Sequence, residues 1–348
     1  MRVRSCSLPG DKITCLTRLR RLSVLFLAAF LLSCGGKHPT AVPDPTTLLT
    51  SQPVSQLPLV RNSVRFAVIG DSGTGKTRQY DVAAVLTSYR SVFPFDFVLM
   101  MGDNIYGRER DKDYRQKFEV PYQALLEAGV RFYACRGNHD NKKQIYYPAF
   151  NMQGHRYYTF TVWNVQFFAL DTDEFDDDEE AWIETQLRES RADWKIAFFH
   201  HPIYSSGKRH GSSHRLRKIL EPLFVRYRVN VVFSGHDHVY ERLKPQNGVQ
   251  YFVSGAAGQL RRGNVRKSFL QAAVFDQDNS FMLLEIFGDT FYFQAVSRTG
   301  VTVDAGSLSR LTAGNKSADD SVSRPVAPET SSVERSVPGP QPGPGITN

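Results

Sequence analysis

Cysteine is scarce in this chain: four residues in 348, with Cys6, Cys15 and Cys34 all near the N-terminus. Only Cys135 remains beyond them. A single thiol forms no internal disulfide, so the fold has to stand on its apolar core and any bound metal. Cys135 follows Ala134 in an apolar run and is expected as a small buried side chain. Long hydrophobic runs are also missing. The stretch Leu22–Leu32 falls short of the roughly 20 residues that a bilayer-spanning helix needs. Positive charge is less widespread than the formal total of +8 suggests, because residues 1–33 hold six basic residues against Asp11. The remainder is close to balance, so a nucleic-acid-binding domain is not implied. With 41% hydrophobic and 22% charged residues, collagen-like, coiled-coil and wholly disordered chains are excluded. The length leaves room for a large core.

What the N-terminus does have is a basic flank, Arg18-Leu19-Arg20-Arg21, then the short apolar run, then small residues. This is the pattern of an export signal over residues 1–33. Leu31-Leu32-Ser33-Cys34 resembles the bacterial lipobox, which implies lipidation of Cys34 and membrane tethering through that lipid. Gly35 after the cysteine would favour the outer membrane, facing periplasm or cell surface. Plain cleavage, or an apolar anchor that is never cut, also fits the segment. Residues 34–63 are rich in Pro, Thr, Ser and Gln, as a tether would be. Residues 313–348 are rich in Ser, Pro and Gly and are expected to be a disordered tail. The single domain is expected over 64–312.

Within it, five short apolar runs read as strands: Val64–Ile69, Phe97–Met101, Arg131–Ala134, Lys195–Phe199 and Val229–Phe233. Stretches between them, at Arg78–Arg90, Asp113–Ala128, Ala181–Glu189 and Ser213–Tyr227, have helical apolar spacing. Alternating strands and helices predict an α/β fold with mainly parallel sheet. Two hairpins are expected, around Trp163-Asn164 and Gly288-Asp289. Ligands in such folds gather at the carboxyl ends of the strands.

Those ends carry Gly70-Asp71, Gly102-Asp103-Asn104-Ile105-Tyr106, Gly137-Asn138-His139-Asp140, His200-His201-Pro202 and Gly235-His236-Asp237-His238. Carboxylate, amide oxygen, phenol and imidazole together suit Fe, Mn or Zn, and the lack of cysteine excludes a soft thiolate site. A preceding glycine is expected to let the backbone turn sharply off each strand. A rival reading exists, because Gly70–Thr77 matches the phosphate-binding pattern GxxxxGK[ST] of P-loop NTPases. It would set carboxylate Asp71 beside the phosphates, and an exported enzyme would lack ATP. It also gives no task to Asn138, His139, His200, His236 or His238. A non-catalytic surface module is a further alternative. The acidic run Asp171–Glu180 lacks the EF-hand spacing and is expected to be a solvated loop leading into a helix N-terminus.

In this order the blocks resemble the calcineurin-like metallophosphoesterases, over roughly Val64 to Glu241. Tyr106, three residues past Asp103, makes the chain similar to the small, tartrate-resistant-like purple acid phosphatases. The resemblance implies a four-layer α/β/β/α sandwich with two mixed central sheets. It implies a phosphate-monoester hydrolase using a metal-activated hydroxide, with phosphodiesterase or nucleotide pyrophosphatase action as the alternative. Substrates would be phosphorylated small molecules or phosphoproteins. Two metal ions are implied: Fe(III) held by Asp71, Asp103, Tyr106 and His238, and Fe(II), Zn or Mn held by Asp103, Asn138, His200 and His236. His139 is expected to protonate the leaving group, with Asp140 orienting its ring, and Asn138, His139 and His210 to contact substrate. His201 is expected to point away from the metals, and Asp237 to the far side of its turn. Lys76, Arg78, Arg108, Arg110, Lys208 and Arg209 are either rim cations or scattered surface charge. Ser72 and Arg136 depart from the aromatic and the small or apolar residues common in that branch, which bears on substrate preference.

Overall fold

The computed structural model describes residues 53–310. The export segment, Cys34, most of the expected tether and all of the expected tail lie outside them. Among the described residues no helix is long and apolar enough to cross a membrane.

Strands β1 (Val64–Ile69), β2 (Phe97–Met100) and β3 (Arg131–Ala134) pair in parallel. Three later strands, β11 (Ser280–Phe287), β12 (Thr290–Ser297) and β13 (Thr302–Ser309), extend that sheet antiparallel from the other edge of β1. The second sheet holds β4 (Tyr158–Val162), β5 (Val165–Ala169), β6 (Trp194–Phe198), β7 (Val231–Ser234), β8 (Tyr240–Leu243), β9 (Gln250–Ser254) and β10 (Gln271–Phe275). Its order is β10-β8-β9-β7-β6-β5-β4, parallel from β5 through β6 and β7 to β9.

Side-chain alternation along a strand decides the layers. Phe66 and Val68 of β1 face Phe167, Phe198, Phe233 and Phe252 of the other sheet, forming the core between the sheets. Ala67 and Ile69, one residue out of phase, face helix α1 (Thr77–Tyr89) through Val82, Val85 and Leu86. The outer face of the second sheet buries Ile183 and Leu187 of α4 (Asp177–Glu189) and Leu216, Leu220 and Phe224 of α5 (His214–Arg226). The result is the expected α/β/β/α sandwich with two mixed sheets. Cys135 is fully buried between the sheets.

Two expectations need correction. The helix over Asp113–Ala128 is broken into α2 (Asp111–Tyr114), a π-helical turn at Arg115–Glu119 and α3 (Gln123–Glu127). Pro121 sits in the gap; it lacks an amide proton and disfavours helical backbone in the residue before it. The expected tether also ends early. The amides of Leu59 and Val60 donate to Glu285 at 2.8 and 2.7 Å, and that of Gln56 donates to Gln294 at 2.9 Å. The last residues before β1 are therefore bonded to the sheet, because buried Glu285 takes its partners from them.

Candidate metal centre

The five polar clusters converge. Oδ1 of Asp71, the hydroxyl of Tyr106 and Nε2 of His238 form a triangle with sides of 3.1, 3.2 and 3.2 Å. Nε2 of His200 lies 3.1 Å from Oδ1 of Asn138, 3.1 Å from Nδ1 of His236 and 3.5 Å from Oδ1 of Asp103. Asp71, Asp103 and His200 offer atoms that lie within 4.8 Å of one another, so Asp103 joins the two groups.

The backbone aims these side chains by left-handed turns placed on the donors themselves. Asp71, Asp103 and His236 have φ of 54°, 52° and 67°, strain that persists only where the surroundings fix it. Gly102, with φ of 81°, makes the turn expected of it, whereas Gly137 and Gly235 have a different task. A Cβ on Gly137 would stand 2.4 Å from Oδ1 of Asp103, and one on Gly235 would stand 2.6 Å from Oδ2 of Asp71. Both provide clearance.

The donor set fits cations. The carbonyl of Met101 lies 2.8 Å from Nδ1 of His200, and a carbonyl only accepts, so the ring proton is on Nδ1. Nε2 then turns a lone pair toward a carboxylate, an amide oxygen and a second imidazole. The carboxylate and the amide oxygen bring no proton to that lone pair, an arrangement that a positive ion relieves. Electrostatics agree. Burial, then the charge of Asp103, raises Asp71 well above the usual carboxyl range. Burial, then Asp71 and Asp103, raises Tyr106. Burial, then the other histidines, lowers His236, and burial, then Arg261, lowers His238 to about 4. Neutral imidazoles are the form that binds metal.

Asp140 does not serve as expected. Its carboxylate accepts from the amides of Gly137, Asn104 and Ile105 and from the side chains of Asn104 and Gln144, all within 3.1 Å. None of these is the His139 ring. Asp140 ties the Gly137–Asp140 turn to the loop after β2 and positions backbone. His139 is exposed, its amide 3.0 Å from Oδ1 of Asp103 and its ring 4.9 Å from that of Tyr106. His210 reaches the site, its ring 4.1 Å from that of His236.

His201 also departs from expectation. Its ring lies 4.4 Å from that of His236, while Thr172 lies 3.2 Å from its Nδ1. It groups with His200 and His236 as a possible donor set. The doubled histidine was the available signal. Arg261 had none: its guanidinium donates to Nε2 of His210 at 2.7 Å. Arg136 is sealed inside, paired with Asp171 and Glu174. Asp171 is thus buried rather than solvated, while Asp176 does cap the following helix. Asp237 faces the far side of its turn, accepting from Ser205 Oγ and the Gly211 amide. Arg110 is engaged by Asp113 and Arg78 by Asn279.

The phosphate-loop alternative fails on geometry. The amides of Asp71 and Gly73 donate to the carbonyls of Gly102 and Asp103, that of Thr74 to Ser72, and that of Gly75 to Gln79. Those N–H groups are already spent within the protein and do not cradle an anion.

The calcineurin-like phosphoesterase family model matches residues 64–240. Human tartrate-resistant acid phosphatase type 5 is 27% identical over 237 residues, 56% of this chain and 73% of that protein. Purple acid phosphatase 17 of Arabidopsis thaliana is 25% identical over 289 residues, 68% and 85% of the respective chains. Among solved structures, purple acid phosphatase PPD1 from yellow lupin superposes with a TM-score of 0.59 at 17% identity, over 72% of this chain and 54% of that one. GAP50, the anchor in the inner membrane complex of Plasmodium, gives 0.63 at 20% identity, over 72% and 90%. With the polar clusters drawn together at the strand ends and the family model covering about half of the chain, from the start of β1 to the start of β8, this chain belongs to the calcineurin-like phosphoesterases.

Proposed function

We propose that this chain, a metal-dependent phosphoester hydrolase, cleaves phosphate monoesters at a centre of two metal ions. The convergence of Asp71, Asp103, Tyr106, Asn138, His200, His236 and His238 carries this reading. Asp71, Tyr106 and His238, with Asp103 shared, would hold Fe(III), since a phenolate favours that hard ion. Asp103, Asn138, His200 and His236 would hold Fe(II), Zn or Mn. Bound cations would polarise the phosphoryl group, lower the pKa of the hydrolytic water and offset charge on the leaving oxygen.

The chain's own groups do the rest. Asn138 and His139 stand exposed at the mouth, where a phosphate ester arrives. A water oxygen bonds to phosphorus as the ester P–O bond breaks. A ring nitrogen of His139 gives its proton to the departing alkoxide and regains one from the water. Because Arg261 occupies Nε2 of His210, the neutral His210 ring keeps its proton on Nδ1 to donate to a phosphoryl oxygen.

Purified protein should carry two metal equivalents and turn over p-nitrophenyl phosphate faster than its bis-ester. Dominant diester turnover would replace monoesterase with phosphodiesterase. A broad visible absorption band is expected from a Tyr106–Fe(III) pair, and a colourless, fully active protein would sink the iron assignment. Asp103→Ala and His236→Ala should abolish metal loading by elemental analysis. We also assign the chain to export with a lipid on Cys34, on the strength of the basic flank, short apolar run and Leu31–Cys34. Labelled palmitate incorporated equally by Cys34→Ala would refute that.

A further inference from the structure

Beside the metal centre runs a ribbon of positive charge that Asp237, Glu241 and Asp276 meet only at backbone amides and the Ser205 hydroxyl. Residues 205–211 and 259–267 lie alongside each other: the Lys208 amide donates to Asn264 at 2.7 Å, the Arg266 amide to Ser206 at 2.9 Å, and Gly207 bridges to Val265. Together they carry Lys208, Arg209, Arg261, Arg262, Arg266 and Lys267, and neither segment contains Asp or Glu. Among the described residues none of these six makes an ion pair. The Lys208 ammonium and the Arg266 guanidinium donate to carbonyls, of Gly263 and of Lys208. Arg209, Arg262 and Lys267 are exposed.

The ribbon is fastened to the site. The Gln259 amide donates to the carbonyl of Asp71 and the Arg261 amide to that of His238, both at 3.0 Å. On the other segment, Asp237 holds Ser205 and Gly211. Arg261 reaches His210, whose ring lies against that of His236, so its guanidinium stands one imidazole beyond a metal donor. Arg209 is close enough to Arg261 for the two charges to oppose each other. Like charges fixed at one rim repel, and a multiply charged anion relieves them through charge-assisted hydrogen bonds.

We propose that this ribbon is a second anion subsite, which receives the leaving phosphate of substrates carrying two linked phosphates, as inorganic pyrophosphate and nucleoside diphosphates do. The inference rests on the two-metal hydrolase reading. In the reaction a water oxygen bonds to the terminal phosphorus and the bond from that phosphorus to the bridging oxygen breaks. The released phosphate takes the bridging oxygen, a proton from His139 and the electron pair, and the water's proton replaces the one given up. Arg209 and Arg261 face the negative charge that leaves.

The test measures kcat/KM of the metal-loaded enzyme for pyrophosphate and for p-nitrophenyl phosphate. Arg209→Gln and the double variant Arg209→Gln/Arg262→Gln alter exposed side chains without bonds in the protein, so folding is not at stake. The wild type should prefer pyrophosphate. The preference should fall at least tenfold in the double variant, mainly through KM, and Arg209→Lys should restore part of it. The KM for pyrophosphate should also rise more steeply with salt than that for p-nitrophenyl phosphate, and the double variant should lose this excess. A preference unchanged by either variant overturns the subsite while leaving the hydrolase standing. Failure to turn over both substrates, in protein shown to hold two metals, overturns the hydrolase reading and the subsite with it.

Discussion

Two loops carry the histidines that stand outside the donor set, and each hangs on a buried carboxylate. Beneath His139, Asp140 is saturated, with five N–H donors on its two oxygens. Beneath His210, Asp237 holds only Ser205 and Gly211 among the described residues, both through Oδ2, and its buried Oδ1 has no partner among them. Saturation leaves the first loop one arrangement. The second keeps an unspent acceptor and is held by fewer bonds. A proton donor has to stand at one distance from one oxygen, whereas a group that contacts substrate gains from adjusting to it. The difference in bonding matches the difference in task.

The largest effect should come from stripping the saturated loop. Asp140→Ala orphans three backbone amides, those of Gly137, Asn104 and Ile105, each costing roughly 1–3 kcal/mol when buried, while the side chains of Asn104 and Gln144 keep other acceptors. Stability should drop by several kcal/mol in urea, and metal content and turnover should fall with it because Asn138 and Asp103 lose their common support. An Asp140→Ala protein of normal stability would break the comparison at its stronger arm. His139→Ala comes next. It removes a side chain that the loop carries without using it for support, so metals and stability should persist while kcat falls about 10²–10⁴-fold. Normal kcat would remove the proton donor.

Asp237→Ala should do less. It frees two donors, and the half-buried Gly211 amide has access to water, so a loss of about 1–2 kcal/mol is expected. KM should rise several-fold with metal content unchanged, as His210 and its partner Arg261 lose their fixed place. A collapse as severe as that of Asp140→Ala would show the two carboxylates to be equivalent after all.

Much of this was legible beforehand because it is local. A strand followed by Gly-Asp or Gly-Asn-His declares both its direction and the end at which its chemistry gathers, and β1, β2, β3, β6 and β7 lie within one or two residues of where their apolar runs placed them. What stayed hidden depends on pairs far apart in sequence. Arg136 looked like a substrate-facing departure, yet it is spent on Asp171 and Glu174, more than thirty residues away. The acidic run around Asp171 looked solvated because no pattern marks which of its members meets a buried cation. Arg261 sits in a stretch with no motif, and only the pairing of two loops brings it to His210. Asp140 was assigned to its sequence neighbour, when its bonds run to the loop after β2. Adjacency in sequence was a poor guide against a folded partner.

The smallest effect separates metal-free from metal-loaded protein. Burial, then the charge of Asp103, pushes the Asp140 carboxyl up to about 8, against the five donors that favour its anion, and Asp71 moves the same way. An unfolded carboxyl titrates near 3.9 and an unfolded histidine near 6.5. The folded metal-free chain therefore binds more protons at these carboxyls than the unfolded chain does, and loses stability as pH rises from about 3.9 toward about 8. His238, lowered to about 4, acts oppositely: its contribution is complete above about 6.5 and is lost as pH falls. Above 6.5 only the carboxyls still act. Cations beside them favour the ionised form and cancel the loss. Between pH 6.5 and 8 the melting temperature of stripped protein should decline more steeply than that of loaded protein, in which buried Glu179, raised to about 9 and outside the donor set, still contributes a decline. Parallel curves would mean that the metals relieve no carboxylate burial, and the convergence of lone pairs around His200 would then need another partner.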